Sequence, residues 1–250
     1  MKIDYNLQLN KNNKLQHFLN IENLSKEHIN EIIDLADNYI SSNSNKFKDL
    51  EGKTIASLFF EPSTRTKTTF ELASKRLSAD FINIDIANSS TLKGESILDM
   101  IKTLEAMECD MFIVRHSSSG TPHYIAKEVG DKISIINAGD GIHAHPTQAM
   151  LDMYTIKKHK GGFENLNVSI VGDILHSRVA KSLIARLKIL SVANINIIGP
   201  KNLMPENINE LGVNYFSNLE EGINNVDVII MLRLQQERMK EAFISTEDYY

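Results

Sequence analysis

Ser63, Thr64, Arg65 and Thr66 set three hydroxyls and a guanidinium in consecutive positions, a grouping suited to holding a phosphate or a similar dianion. They follow an apolar run, Thr54-Ile55-Ala56-Ser57-Leu58-Phe59-Phe60, that reads as a buried strand, and they lead into a helical pattern from Lys67 to about Ser78. A strand, a short polar turn and a helix bring unpaired backbone N–H groups and the positive end of the helix dipole to one point. The plainer alternative is a helix cap beside an exposed arginine. One hydroxyl would serve as a cap, however, and first turns favour Asp and Glu, whereas this one carries Arg65 and Lys67. The anion site is the better reading.

Other groups are ambiguous singly. Lys93-Gly94-Glu95 reads as a solvated loop before a helix, and Arg115 closes the apolar strand Met111-Phe112-Ile113-Val114, where it could simply reach solvent. In Gly139-Asp140-Gly141-Ile142-His143-Ala144-His145-Pro146-Thr147-Gln148 the glycines permit a tight turn. His145 falls at a helix start, where the dipole disfavours imidazolium and leaves a neutral ring able to donate one hydrogen bond. The His143-x-His145 spacing invites a metal, but no third and fourth ligand stands nearby in the sequence, so no metal is expected. A structural role fits His145 as well as a catalytic one. Asp173 to Arg178 could be a helix capped by Ser177 with a surface arginine, and Arg233-Leu234-Gln235-Gln236-Glu237-Arg238 a charged helix start. Taken together, these groups follow successive strands and offer cations or neutral donors. They imply a cleft for a multiply anionic pair of substrates, and such clefts favour transfer reactions driven by positioning and electrostatics.

The elements that must position them alternate. Runs at 54–60, 81–86, 111–115 and 133–136 read as strands, with helices at 66–78, 95–108 and 121–129 between them and an earlier helix capped by Ser25. Pro146 opens a helix that runs to about Lys160 and stops at Gly161-Gly162. The alternation then resumes with strands 167–172, 194–198, 213–216 and 227–232 and helices 177–190, 205–211 and 219–225. This order predicts an α/β fold of two domains, 1–145 and 146–250, joined by the helix near 146–160. Each is expected to be a mostly parallel sheet with helices on both faces, where ligands bind at the carboxyl ends of strands. The first sixteen residues read as a loose lead-in. Val171-Gly172-Asp173 lacks the G-x-G-x-x-G fingerprint of a dinucleotide site.

Composition narrows the class. A net charge of −5 gives no reason to expect nucleic-acid binding, and basic residues that matter must be local clusters. Cys109 is the single cysteine, which excludes an intrachain disulfide and a cysteine-rich zinc site. The polar, Asn-rich start has no apolar signal core, no run is long enough to span a membrane, and the expected location is the cytoplasm.

Phe59-Phe60-Glu61-Pro62-Ser63-Thr64-Arg65-Thr66 followed by Phe70-Glu71, and His145-Pro146-Thr147-Gln148, resemble two long motifs of the aspartate/ornithine carbamoyltransferase family. Lys93-Gly94-Glu95, Arg115-His116, Gly172-Asp173-Ile174 with His176-Ser177-Arg178, and the run Arg233 to Arg238 resemble its aspartate branch in particular. The resemblance spans the chain from about His17 onward. It implies transfer of the carbamoyl group of carbamoyl phosphate to the amine of L-aspartate, an early step of pyrimidine biosynthesis, without metal or organic cofactor. By the family pattern Ser63, Thr64, Arg65 and Thr66 hold the phosphate. Thr66, Arg115 and His145 reach the carbonyl oxygen, with Gln148 near the carbamoyl amine. Arg178, Arg233 and Gln235 hold the carboxylates of aspartate. Lys93 and Ser90 enter the site from a neighbouring subunit, which implies a homotrimer, and in some relatives such trimers join regulatory or other pathway chains. The first domain would then bind carbamoyl phosphate and the second aspartate. The family continues past the position of Tyr250 with a further strand, a His-Pro-x-Pro turn and helices, so the second domain is expected to be incomplete at its C-terminus. Two other readings stay open: a different amine acceptor such as ornithine, and a non-catalytic homologue that serves a pathway assembly.

Overall fold

In the computed structural model residues 5–84, 86 and 96–234 are described. The chain divides into two compact units, one reaching Thr147 and the other starting at Gln148.

The first unit is built on β1 (Thr54–Phe59), β2 (Asp80–Ile84), β3 (Met111–His116) and β4 (Ser134–Asp140). They form one wholly parallel sheet in the order β2-β1-β3-β4. β1 and β3 are nearly continuous apolar runs because both faces are covered, whereas the edge strand β2 is largely exposed. Side chains alternate between the faces. Ala56, Leu58, Phe112, Val114 and Ile135 pack with α3 (Ile97–Ala106) and α4 (Thr121–Glu128) through Met100, Ile101, Leu104, Ile125 and Ala126. Ile55, Ile113 and Ala138 form the other layer with Ala79 and with Phe70 of α2 (Thr64–Arg76). α1 (Lys26–Ser41) starts with a reciprocal cap in which Ser25 Oγ accepts from the His28 amide and the Ser25 amide donates to His28 Nδ1.

The lead-in is not loose over its described residues. Tyr5–Gln8 forms a single 3-10 turn, Leu9 pairs with Leu15, and the chain then runs beside β4 as a short parallel addition. The Phe18 amide donates to Ile135 O, and the Asn137 amide donates back to Phe18 O. Polar side chains complete the attachment, which is why apolar periodicity gives no hint of it. Gln8 Oε1 accepts from the Leu19 and Asn20 amides, and Asn137 Nδ2 donates to Leu19 O at 2.6 Å.

The second unit carries β5 (Asn167–Val171), β6 (Asn194–Ile198), β7 (Asn214–Phe216) and β8 (Val228–Met231), again wholly parallel, in the order β7-β6-β5-β8. α5 (Pro146–Lys160) precedes β5, and α6 (Arg178–Ile189) follows it and buries Leu183 and Leu187. Two expected helices shrink. The stretch 205–211 holds only a 3-10 turn at Ile208–Leu211, a second one lying upstream at Lys201–Leu203. Gly212 turns left-handed at φ 54°, so too few residues remain to repay helix nucleation. Likewise α7 is one turn, Leu219–Gly222, capped by Asn218, and the chain turns left-handed at Asn225. Among the described residues no helix is long and apolar enough to cross a membrane.

His17 makes the attachment of the N-terminal segment pH-sensitive. Its Nδ1 accepts from the Ile135 amide at 3.1 Å, and burial lowers its pKa from 6.5 to about 4. The folded protein therefore binds fewer protons than the unfolded chain between those values. This contribution is fully present above pH 6.5, declines as pH falls toward 4, and is constant below that. The full effect corresponds to about 3 kcal/mol. His17→Gln, which keeps an acceptor but cannot titrate, should flatten the dependence of urea-unfolding free energy on pH between 6.5 and 4. An unchanged slope would remove His17 as its source.

Candidate active site

Because β1, β3 and β4 are parallel neighbours, their carboxyl ends lie along one edge, with Phe59 opposite Arg115 and His116 opposite Asp140. The Ser63–Thr66 segment follows β1 there. It is itself the first turn of α2: Ser63 is the N-cap, the Lys67 amide makes the first i→i−4 bond to Ser63 O, and the amides of Thr64, Arg65 and Thr66 precede it. Ser63 makes no side-chain capping bond, and no acidic residue stands in the turn. Its hydroxyl is thus left for another acceptor or donor. Thr64 and Arg65 are exposed, Ser63 and Thr66 half-buried.

Arg115 is drawn into a fixed position between the strand ends. Its Nη2 lies 2.6 Å from Glu61 Oε1 in the turn after β1, and its Nη1 donates to Ala138 O of β4 at 3.0 Å. The same Nη1 stands 3.5 Å from His145 Nε2, and His145 Nδ1 stands 3.3 Å from Thr147 Oγ1. A guanidinium only donates, so Nε2 is the acceptor of that pair and the ring proton sits on Nδ1. The Thr147 hydroxyl can accept from or donate to Nδ1, so it tolerates either tautomer. His116, next along β3, is a packing residue: its ring lies 4.8 Å from that of Phe60, Nδ1 accepts from the Ser118 amide, and burial, the largest influence, lowers its pKa.

In the second unit Arg178 and Arg233 follow the carboxyl ends of the paired strands β5 and β8. Arg178 opens α6 behind the Ser177 cap and is buried, which overturns the surface-arginine alternative. The turn before it is tied by Asp173, fully buried, whose Oδ1 accepts from the His176 amide and pairs with His176 Nδ1 at 2.9 Å. Arg233 is exposed. Gln148 Nε2 donates to Asp152 Oδ1, and burial raises the Asp152 pKa. Ser90, Lys93 and Gln235 lie outside the described residues.

Sequence reasoning missed three partners. Glu61 positions Arg115, Asp140 ties the turn that carries His145, and Asp173 ties the turn that carries Arg178. The available signal was a lone acid within each otherwise cationic or hydroxylic strand-end segment.

A sequence model of the aspartate/ornithine carbamoyltransferase carbamoyl-P binding domain matches residues 16–158, more than half of the chain. The chain belongs to the aspartate/ornithine carbamoyltransferase family. Solved structures of this carbamoyltransferase family agree over both units. The catalytic subunit of M. jannaschii aspartate transcarbamoylase is 33% identical, the match covering 91% of this chain and 76% of that one with a TM-score of 0.79. Aspartate transcarbamoylase from Trypanosoma cruzi in complex with aspartate and phosphate is 30% identical over 90% of this chain and 76% of that one, with a TM-score of 0.80. The same enzyme in complex with carbamoyl phosphate gives 29%, 88%, 76% and 0.78.

The unengaged Ser63 hydroxyl separates capping from ligand binding. Ser96 does cap α3, accepting from the Asp99 amide at 3.1 Å. Ser96→Ala should therefore cost about 1 kcal/mol in chemical unfolding, whereas Ser63→Ala should cost less than about 0.5 kcal/mol. Equal losses would place Ser63 among ordinary caps.

Proposed function

We propose that this protein transfers the carbamoyl group of carbamoyl phosphate to the amine of L-aspartate, giving N-carbamoyl-L-aspartate and phosphate. The observation that carries the reading is the pairing, at one sheet edge, of an acid-free helix start bearing Ser63 to Thr66 with the Glu61-anchored Arg115 and its neighbour His145. The complexes of the T. cruzi enzyme with carbamoyl phosphate, aspartate and phosphate support the same pair of substrates.

In this reading the three amides ahead of Lys67, the hydroxyls of Ser63, Thr64 and Thr66, and Arg65 hold the phosphate. The aspartate amine attacks the carbamoyl carbon, and negative charge grows on the carbonyl oxygen. Arg115, held by Glu61, is a preorganised cation for that charge. His145 joins it when its proton moves to Nε2, with Thr147 then donating to Nδ1. Thr66 is the third group toward the oxygen, and Gln148 serves the carbamoyl amine. Losing one such donor costs on the order of 3 kcal/mol in the transition state. Collapse of the tetrahedral centre expels phosphate, whose charge Arg65 and Lys93 offset. No protein nucleophile takes part. Arg178, Arg233 and Gln235 receive the two carboxylates of aspartate, a demand that ornithine as acceptor would not make. The active unit is a homotrimer in which Ser90 and Lys93 serve a neighbour's site, open to association with regulatory or pathway chains.

Carbamoyl phosphate binding and carbamoyl-aspartate formation should be measured separately on the protein, with ornithine as the competing acceptor and light scattering for the trimer. Arg65→Ala should weaken carbamoyl phosphate binding about 10- to 100-fold. Arg115→Ala should act mainly on kcat, lowering it on the order of 100-fold. Turnover of ornithine but not aspartate would overturn the acceptor, and unchanged affinity in Arg65→Ala would overturn the phosphate site.

A further inference from the structure

The turn after β4 ends one residue before His145, and it is tied by a carboxylate that the chemistry above does not use. Asp140 is fully buried. Its Oδ1 accepts from the Gly120 amide at the start of α4 at 2.7 Å, and its Oδ2 pairs with His143 Nδ1 at 2.9 Å. Backbone bonds close the turn around it: the Asp140 amide donates to Ala144 O, and the His143 amide donates to Asp140 O. The turn is also clamped against the loop after β3. The Gly141 amide donates to His116 O, and a Cβ on Gly141 would stand only 2.7 Å from the Ser119 backbone nitrogen. Every one of these contacts fixes where the chain leaves the turn, and the next residue is His145.

His123 stands behind this pair. It is buried, with its ring edge-on to that of His143 at 5.7 Å between centroids. His123, Asp140 and His143 have the residue types of a zinc site, and their ligand-capable atoms lie within 4.8 Å of one another. The hydrogen bonds around His123 argue against that use. Asn20 Oδ1 accepts from Gln8 Nε2, so Asn20 Nδ2 must be the group that donates to His123 Nε2. A metal on Nε2 would displace Asn20. A metal on Nδ1 would move the ring proton to Nε2, against an amide N–H. His123 is instead a neutral wall, its pKa lowered chiefly by burial, against which the nearby Asp140 works, while the hydrogen bonds of Asp140 go to His143 and the Gly120 amide.

We propose that Asp140 and His143, backed by His123, are positioning residues that hold His145 where its Nε2 meets Arg115 Nη1, and through that contact keep it in one tautomer. The inference rests on the carbamoyl-transfer reading for its kinetic arm alone. Without the His143 ring, the buried carboxylate loses the partner on Oδ2 and the turn loses a brace immediately before His145. Ground-state contacts to phosphate lie on α2 and are untouched, so the effect falls on the transition state.

The test compares His143→Ala with His143→Asn, since an asparagine Nδ2 occupies nearly the place of the histidine Nδ1 and can still donate to Asp140. His143→Ala should lower kcat about 10- to 100-fold with KM for carbamoyl phosphate within about twofold. His143→Asn should recover most of that loss. Independently of turnover, the imidazole 15N shifts of His145 should report one tautomer in the unmodified protein and in His143→Asn, and an averaged ring in His143→Ala. Unchanged kcat in His143→Ala, a loss that merely follows the fraction folded, or failure of His143→Asn to recover either signal would overturn the proposal. Should the unmodified protein form no carbamoyl aspartate, the reaction itself is wrongly assigned, and the 15N shifts alone then decide the role of His143.

Discussion

All four described strands of the first unit run the same way, and the chemistry of this protein depends on that constraint. Parallel strands cannot be joined by hairpins, so each return must cross a face of the sheet as a helix or long loop. Every carboxyl end then meets a new turn on one edge. The Ser63–Thr66 helix start, Arg115 and the turn before His145 are far apart in sequence but follow strands that are hydrogen-bonded neighbours in the order β1-β3-β4. The same logic sets Arg178 and Arg233 behind β5 and β8.

That edge would be costly without local compensation. A guanidinium taken largely out of water needs partners, and Arg115 has Glu61 on one nitrogen and the Ala138 carbonyl on another. The Asp140 and Asp173 carboxylates, both fully buried, are each matched by a backbone amide and by a histidine ring three residues along the same turn. These two turns solve the same problem with the same pair of residue types. In both, an acid buried at a strand end fixes the loop that leads to a proposed site residue, His145 or Arg178.

Much of this could be read from the sequence, and the reason is burial. Strands β1, β3, β5 and β6 are covered on both faces, so their composition is unmistakable, and the alternation with helices fixed the fold class. The long motifs pointed to the family, and with it to Ser63–Thr66 as the expected phosphate turn. What escaped were features made by polar side chains and by register. The attachment of residues 5–20 rests on Gln8, Asn20, Asn137 and His17, none of which alters hydropathy. The pairing of Glu61 with Arg115 requires β1 and β3 to be neighbours, which local sequence cannot dictate. His143 looked like a companion of His145 because of their spacing. In the fold it turns to Asp140, because the tight turn puts residues three apart, not two, on the same side.

Arg65 and Arg115 of the first unit differ in the manner that the proposed transfer reaction requires. Arg65 is exposed in the first turn of a helix, where it adds charge to a site already rich in amides and hydroxyls. In the proposed reaction its value lies in attraction of a dianion, which exists before and after the transfer alike. Arg115 is nearly buried and oriented by two oxygens before any substrate arrives. A cation so held is little use for capturing a ligand, since Glu61 already offsets much of its charge. It is well placed to meet charge that appears only during reaction, because no reorganisation is then needed. Under the proposed reaction Glu61 would tune the site in two ways: keeping Arg115 from competing for the phosphate, and fixing the direction from which the developing oxyanion is met.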